Sequence, residues 1–284
     1  MESTTAPRCV ITWALPPNTA SIRASHCELN QPLSKGNDMK IGIIGAGNIG
    51  GTIARKLAAA GHSIKLAGSG APDEIRDKAA RIGAVPVTAQ DAVKDVETIM
   101  LSIPFAQIPK VGGVFADVPA NVIVIDTSNY YPFRDGNIAQ VDEGKPESVW
   151  SSEQLGRPVV KTFNALLAET LANGGTAKGS VHRIAIPVAG DDKHAKAIAS
   201  ELVNDTGFDT LDAGELANSW RQQPGTPAYC TELTLSDLRH ALAAADKSRA
   251  PVDRDALIES FMAEKAPLSH EQIVARNRKV TAPS

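Results

Sequence analysis

The chain has 284 residues, 43% of them hydrophobic and 21% charged, as in a globular protein of one or two domains with a substantial core. Its formal charge of −3, the lack of a long Lys/Arg block and an aromatic content of 4% exclude a general nucleic-acid or anionic-membrane binder. Three scattered cysteines (Cys9, Cys27 and Cys230) give neither a disulfide framework nor a zinc spacing, and no apolar run reaches the roughly 20 residues that cross a bilayer.

Residues 1–38 are rich in Ser, Thr, Pro and Asn. Their one apolar run, CVITWALPP, follows a single arginine, Arg8, and lacks a small-residue cleavage site, so it makes a poor signal peptide. We expect a disordered extension, or a start codon assigned too far upstream of Met39. From Met39 the pattern alternates. KIGIIG (40–45) reads as a strand and 48–60 as a helix, with Ile49, Ile53, Leu57 and Ala60 on one face and Gly61 after its end. Strands are predicted at 63–68, 84–87, 97–104, 121–128 and 157–165, and a helix at 72–83. Two more strands, 182–190 and 208–214, flank a helix beginning near Asp191 and Asp192. The remaining residues read as helices starting at Ser236, Asp253 and Ser269, the last with Gln272 in capping-box position.

Strands apolar along their length and separated by helices indicate a parallel sheet covered on both faces. The predicted fold is α/β, a doubly wound, mostly parallel sheet of Rossmann type with a small helical C-terminal extension. The expected division is an extension over 1–38, a dinucleotide-binding domain over 39–214 and a helical segment over 215–284.

Gly45, Gly47 and Gly50 form G-x-G-x-x-G between the first strand and the first helix. Gly45 permits a tight turn, Gly47 lets a pyrophosphate approach the backbone, and Gly50 lets helix and strand pack closely. The intervening Ala46, Asn48 and Ile49 belong to the same loop. The helix N-terminus offers the phosphates free N–H groups and a partial positive charge. An NAD site usually has an acid at the end of the second strand. This chain reads KLAGSGAPDE there, with no acid at Ala67, Gly68 or Ser69. Asp73 and Glu74 are predicted to lie inside the next helix. Ser69, with the N–H groups of Gly70 and Ala71, can receive a 2′-phosphate, and Arg76 or Lys78 can reach toward it. The expected cofactor is therefore NADP(H).

Six segments, IGIIGAGNIGGTIARKLAAAGH, LSIPFAQIP, VIDTSNYYP, VVKTFNAL, VAGDD and LDAG, occur in an order that resembles the deazaflavin-dependent NADP reductases. The cytosolic domain of the six-transmembrane ferrireductases is similar. The resemblance covers residues 39–225. It implies direct hydride exchange between NADP(H) and a flat, flavin-like partner, with the 2′-phosphate held by a Ser-Arg pair. Ser69 matches that serine, but Gly70 stands where the arginine is expected, and Ala46 stands where the family often has threonine. Ser102, Ile103 and Pro104 match a turn near the nicotinamide, and Thr162, Phe163 and Asn164 a segment near its carboxamide.

All these residues fall at carboxyl ends of strands, where open α/β sheets bind ligands. Asn129, Tyr130, Tyr131 and Arg134, in SNYYPFRDG, are substrate-side candidates: rings for stacking and a guanidinium for an acidic substituent. The same residues also read as a surface turn. Lys161 reads as a solvated strand-end lysine, or as a proton donor or phosphate contact. His62 suits a cap or packing role. His182, His194 and His240 have no metal spacing, so no metal is expected. Arg221, near two glutamines, sits in a segment that either closes over the site or links to the C-terminal helices. No catalytic acid or base is singled out, since hydride transfer between two bound rings proceeds largely by positioning. The competing functions are a β-hydroxyacid dehydrogenase or pyrroline-carboxylate reductase, and a non-catalytic NADP(H) sensor. A cytoplasmic homodimer acting on a small redox acceptor is expected. Leu238, Leu242, Leu257 and Phe261 need an apolar surface, from a second copy or from the chain's own sheet.

Overall fold

The computed structural model describes residues 38–282, so the expectations for the N-terminal extension, Cys9 and Cys27 fall outside the described residues. The described residues form one compact unit. A six-stranded parallel sheet runs in the order β3-β2-β1-β4-β5-β6. Its strands are β1 (Lys40–Ile44), β2 (Ser63–Ala67), β3 (Ala84–Val87), β4 (Thr98–Leu101), β5 (Ile123–Asp126) and β6 (Val160–Lys161). Strands β7 (Ala185–Val188) and β8 (Asp209–Asp212) form a separate parallel pair. A single antiparallel bridge between Lys161 and Ala189 joins this pair to β6.

The first helices are α1 (Asn48–Ala59), α2 (Arg76–Ile82), α3 (Ala89–Ala92), α4 (Ile108–Val111), α5 (Pro132–Asp135) and α6 (Ala139–Asp142). They are followed by α7 (Glu147–Leu155), α8 (Ala168–Asn173), α9 (Lys193–Asp205), α10 (Leu235–Ala244), α11 (Ala250–Met262) and α12 (His270–Val280). Alternation along the strands builds two cores, one on each sheet face. Ile41 and Ile43 of β1 pack with Ile53 and Leu57 of α1 and Leu202 of α9. Ile44 packs on the other side with Ile99, Phe105, Trp150 and Leu155. Gly42 also faces that side, where a Cβ would overlap the Ala92 carbonyl, so its lack of a side chain brings α3 against β1.

The sequence-predicted strands are present; the third spans 84–87 as predicted and the others are shorter, most of all the sixth, of which two residues pair. The first turn of the predicted 72–83 helix is a 3-10 turn, Pro72–Ile75, before α2, and Gly83 ends α2 with φ 83°. Asp192 caps α9 by accepting the Ala195 N–H at 2.7 Å, and Asp191 accepts the Leu216 N–H at 2.8 Å. The cap of α10 is Thr234 rather than Ser236. Helix α11 starts before Asp253, with Pro251 in its first turn, where a missing N–H costs nothing. Ser269 and Gln272 form the predicted capping box. Leu238 and Leu242 are covered by the β7–β8 pair and Leu257 is also buried, so these side chains need no second copy for their burial. His62 is a tie: its ring accepts the Met39 N–H at 3.2 Å and meets Asp205 at 3.1 Å. Arg221 lies over the Trp220 ring and donates to the Leu242 carbonyl at 3.1 Å, which fastens this segment to α10.

Candidate active site: a cleft at the strand ends

The glycine loop takes the form its sequence demands. Gly45 has φ 115°, a region L side chains avoid, and its N–H bonds to the Ala67 carbonyl at 2.9 Å. A Cβ on Gly50 would overlap the Gly45 carbonyl oxygen, so this glycine sets the approach of α1 to the loop. A Cβ on Gly47 would meet nothing within 4 Å, which leaves its outer side open. Gly47 is the N-cap of α1, and no acid stands in the first helical turn. An open helix N-terminus without a competing carboxylate fits a pyrophosphate.

From this loop a cleft of about 350 Å³ crosses the carboxyl ends of the strands. Gly47, Asn48 and Ile49 of the glycine loop line it together with Ser102, Ile103 and Pro104 after β4 and with Asn129, Tyr131, Arg134, Phe163 and Asn164. The same cleft takes in Thr127, Ser128, Leu166, Leu167, Ala168, Tyr229 and Cys230. None of its lining residues is an Asp, Glu, His or Lys; Arg134 is its one formal cation. That guanidinium is tied to Asp135 at 2.7 Å and to the Asn129 carbonyl at 2.6 Å.

Four predicted positions behave differently. Tyr130 is buried away from the cleft: its ring packs on Phe105 and its hydroxyl bonds to Asp142 at 2.9 Å. Neighbours on an extended segment point to opposite sides, so Tyr131 alone of the pair faces the cleft. Thr162 is fully buried, with no partner for its hydroxyl. Asn164 reaches the cleft, but its amide is held by others. It donates to Asn129 Oδ1 at 3.0 Å and to the Gln222 carbonyl at 2.8 Å, and accepts from Gln222 Nε2 at 3.0 Å. Lys161 is not solvated. It is fully buried, with Nζ 3.4 Å from Asp126 and bonded to the Ser128 carbonyl.

Lys161 belongs to a charged layer beneath the cleft. Burial raises the Asp126 carboxyl, but Lys161 and the hydrogen bonds of Ser128 and Ser148 outweigh it and hold the group below its usual range. Burial pushes Glu147 up to about 7, despite the opposing pull of Lys161. Glu147 Oε2 has no hydrogen-bond partner. Burial also pushes the Tyr131 and Tyr229 phenols up and the Cys230 thiol to about 12, so all three are neutral near pH 7. The two tyrosine hydroxyls share a hydrogen bond of 2.7 Å. Phe163 and Cys230 hold positive φ values of 62° and 56° beside the cleft, in a region that costs a non-glycine residue energy.

Sequence reasoning missed Leu166–Ala168, Tyr229, Cys230 and the Asp126–Glu147–Lys161 layer. A tyrosine just after the QQPGTP turn was the available signal for Tyr229. The end of β2 also differs from expectation. Ser69 and Gly70 are exposed and lie outside the cleft lining. Glu74 folds back to accept the Ala71 N–H at 3.1 Å, so a carboxylate does stand at this strand end. Arg76 is paired with Asp73, and Lys78 donates to the Ala46 carbonyl. Among the described residues no group of three or more His, Cys, Asp or Glu side chains is arranged to hold a metal, and no helix is long and apolar enough to cross a membrane.

The parallel sheet, its glycine loop and a cleft at the strand ends define a Rossmann-type dinucleotide-binding fold. The family model described as NADP oxidoreductase coenzyme F420-dependent matches residues 40–130. YjhV of Escherichia coli (strain K12) is 39% identical over 106 residues, which cover 37% of this chain and 77% of that protein. The solved structure of the hypothetical protein SMa0349 from Sinorhizobium meliloti is 30% identical, with TM-score 0.61, over 69% of this chain and 95% of that one. A protein of Arthrobacter sp. FB24, provisionally assigned as an F420-dependent NADP-reductase, shares the fold at 24% identity and TM-score 0.54, over 64% of this chain and 87% of that one. Residues 40–130 thus carry the model of the F420-dependent NADP oxidoreductases, and the chain is related to YjhV and SMa0349 over most of the length of each.

Proposed function

We propose that this chain exchanges a hydride between a nicotinamide dinucleotide and a flat, deazaflavin- or flavin-like acceptor held together in the cleft. The carrying observation is one continuous cleft running from the glycine loop at Gly47 to the Tyr131–Tyr229 pair, with no carboxylate, imidazole or ammonium in its wall. Such a wall suits chemistry that needs two rings placed face to face more than chemistry that needs an acid–base pair. The nicotinamide, when bound, supplies or receives the hydride. Gly45, Ala46, Gly47, Asn48, Ile49 and Gly50 hold the pyrophosphate through backbone N–H groups and the α1 terminus. Ser102, Ile103 and Pro104 form the floor beside the reacting ring. Asn129 and Gln222 fix the Asn164 amide, which keeps that wall rigid. Tyr131 and Tyr229 exclude water and hold their protons, since burial keeps both phenols neutral.

The family description names NADP, and Ser69 keeps the serine of the expected phosphate pair. Gly70 and Glu74 stand against that choice, and the site as a whole fits NAD(P)(H). The test is loss of nicotinamide absorbance on mixing NADPH or NADH with the protein and a deazaflavin, FMN or a ferric chelate. Multiple turnovers with the deazaflavin or FMN are expected. Tight dinucleotide binding without turnover of any acceptor would favour the sensor reading instead.

A further inference from the structure

The nucleotide's adenosine ribose has to be recognised at the end of β2, by the general plan of doubly wound sheets. Strand β2 ends at Ala67, and four residues lead to the 3-10 turn Pro72–Ile75. Glu74, in that turn, accepts the Ala71 N–H at 3.1 Å. Its carboxylate also lies over Gly70, where an added Cβ would overlap the carboxylate atoms. Gly70 does not have a positive φ, so backbone strain does not require a glycine here. Its missing side chain is the room that the Glu74 carboxylate occupies.

No cation on this segment is free to face a phosphate. Residues 68–78 carry three acids, Asp73, Glu74 and Asp77, against two bases, Arg76 and Lys78. Arg76 is paired with Asp73, and Lys78 is turned inward to the Ala46 carbonyl. A ribose 2′-hydroxyl donates well to a carboxylate, whereas a 2′-phosphate brings like charge against it and meets no unpaired cation on this segment.

We infer that Glu74, in the space left by Gly70, makes this chain select the dinucleotide with a free ribose 2′-hydroxyl, NAD(H), over its 2′-phosphorylated counterpart. The inference rests on the dinucleotide reading above and reverses the NADP(H) preference drawn from the lack of an acid at Ala67, Gly68 and Ser69. Gly70 and Glu74 act together: an arginine at position 70 and a carboxylate in this pose cannot share the space, so the exchange of one accounts for the other.

The test is a calorimetric titration of the full chain with NADH and with NADPH at one fixed ionic strength. NADH is expected to bind at least about tenfold more tightly. Glu74→Gln, at an exposed position and with its fold checked by thermal melting, is expected to shrink that ratio several-fold by weakening NADH and relieving NADPH. The double variant Gly70→Arg/Glu74→Ala, which empties the space the Glu74 carboxylate fills, is expected to invert it, with an NADPH affinity that falls steeply as salt is added. Equal or tighter binding of NADPH by the native chain overturns the inference while leaving the dinucleotide site standing. So does a ratio unchanged by Glu74→Gln. Binding of neither nucleotide overturns the inference and the proposed function together.

Discussion

The cleft and the layer under it place charge in opposite ways. The cleft wall is neutral apart from Arg134, whose guanidinium is already paired. A few residues below, Asp126, Glu147 and Lys161 are buried as ions or near-ions, joined to the cleft through Ser128. Buried ions of this kind hold their neighbours in register and are costly to break singly. The neutral wall leaves the reacting rings free of competing charge. The ionisable groups near the site thus position its residues, and the cleft itself contributes shape and hydrogen bonds.

The harshest way to break this contrast is Lys161→Met. It strands Asp126 and Glu147 without their cation, and the fold should lose about 3–5 kcal/mol, read as a lower urea midpoint. Glu147→Gln sharpens the contrast in the other direction. Glu147 titrates near 4.5 when unfolded and about 7 when folded, so the native state holds its proton more tightly. Its contribution to stability is full below the unfolded value and is lost as pH rises through 7. Above that, the glutamate costs up to about 3 kcal/mol. The glutamine variant should melt higher than the native chain at pH 8 and nearly level with it at pH 5. Asp126 has the opposite sign: its lowered carboxyl stabilises at neutral pH and loses that contribution on acidification.

The two glycines of the loop separate structure from binding. Gly50→Ala forces a methyl onto the Gly45 carbonyl and should cost about 1–3 kcal/mol together with nucleotide affinity. Gly47→Ala meets nothing in the protein and should leave the melting temperature unchanged while abolishing dinucleotide binding in a titration. The smallest effect belongs to Tyr229→Phe, which leaves the Tyr131 hydroxyl without its 2.7 Å partner. It should cost about 1 kcal/mol of stability and raise the KM for the acceptor more than that for the nucleotide.

The same contrast separates what the sequence made legible from what it hid. The glycine loop was readable because a tight turn, a close phosphate and a packed helix admit few residues other than glycine. The strands were readable because burial on both faces leaves an unbroken apolar run. Lys161 was misread because one lysine among apolar residues looks like a solvated strand end; its partner Asp126 comes from β5 and only the sheet register brings the two together. Tyr130 and Tyr131 could not be told apart, since the period of two assigns opposite sides without naming the inner one. Glu74 was placed inside a helix, as it is, but the return of its side chain to Ala71 depends on a turn whose N-cap, an alanine, gives no capping signal.

The central claim, direct hydride exchange in a neutral cleft, is tested most directly by isotope transfer. The dinucleotide is deuterated at the transferable position of the nicotinamide and mixed with the protein and an oxidised deazaflavin, and the reduced deazaflavin is analysed by mass spectrometry. The account predicts one deuterium retained on carbon in the product, and loss of the reaction with Gly47→Ala. Reduced deazaflavin carrying only solvent hydrogen, or the same transfer at full rate with Gly47→Ala, would contradict it.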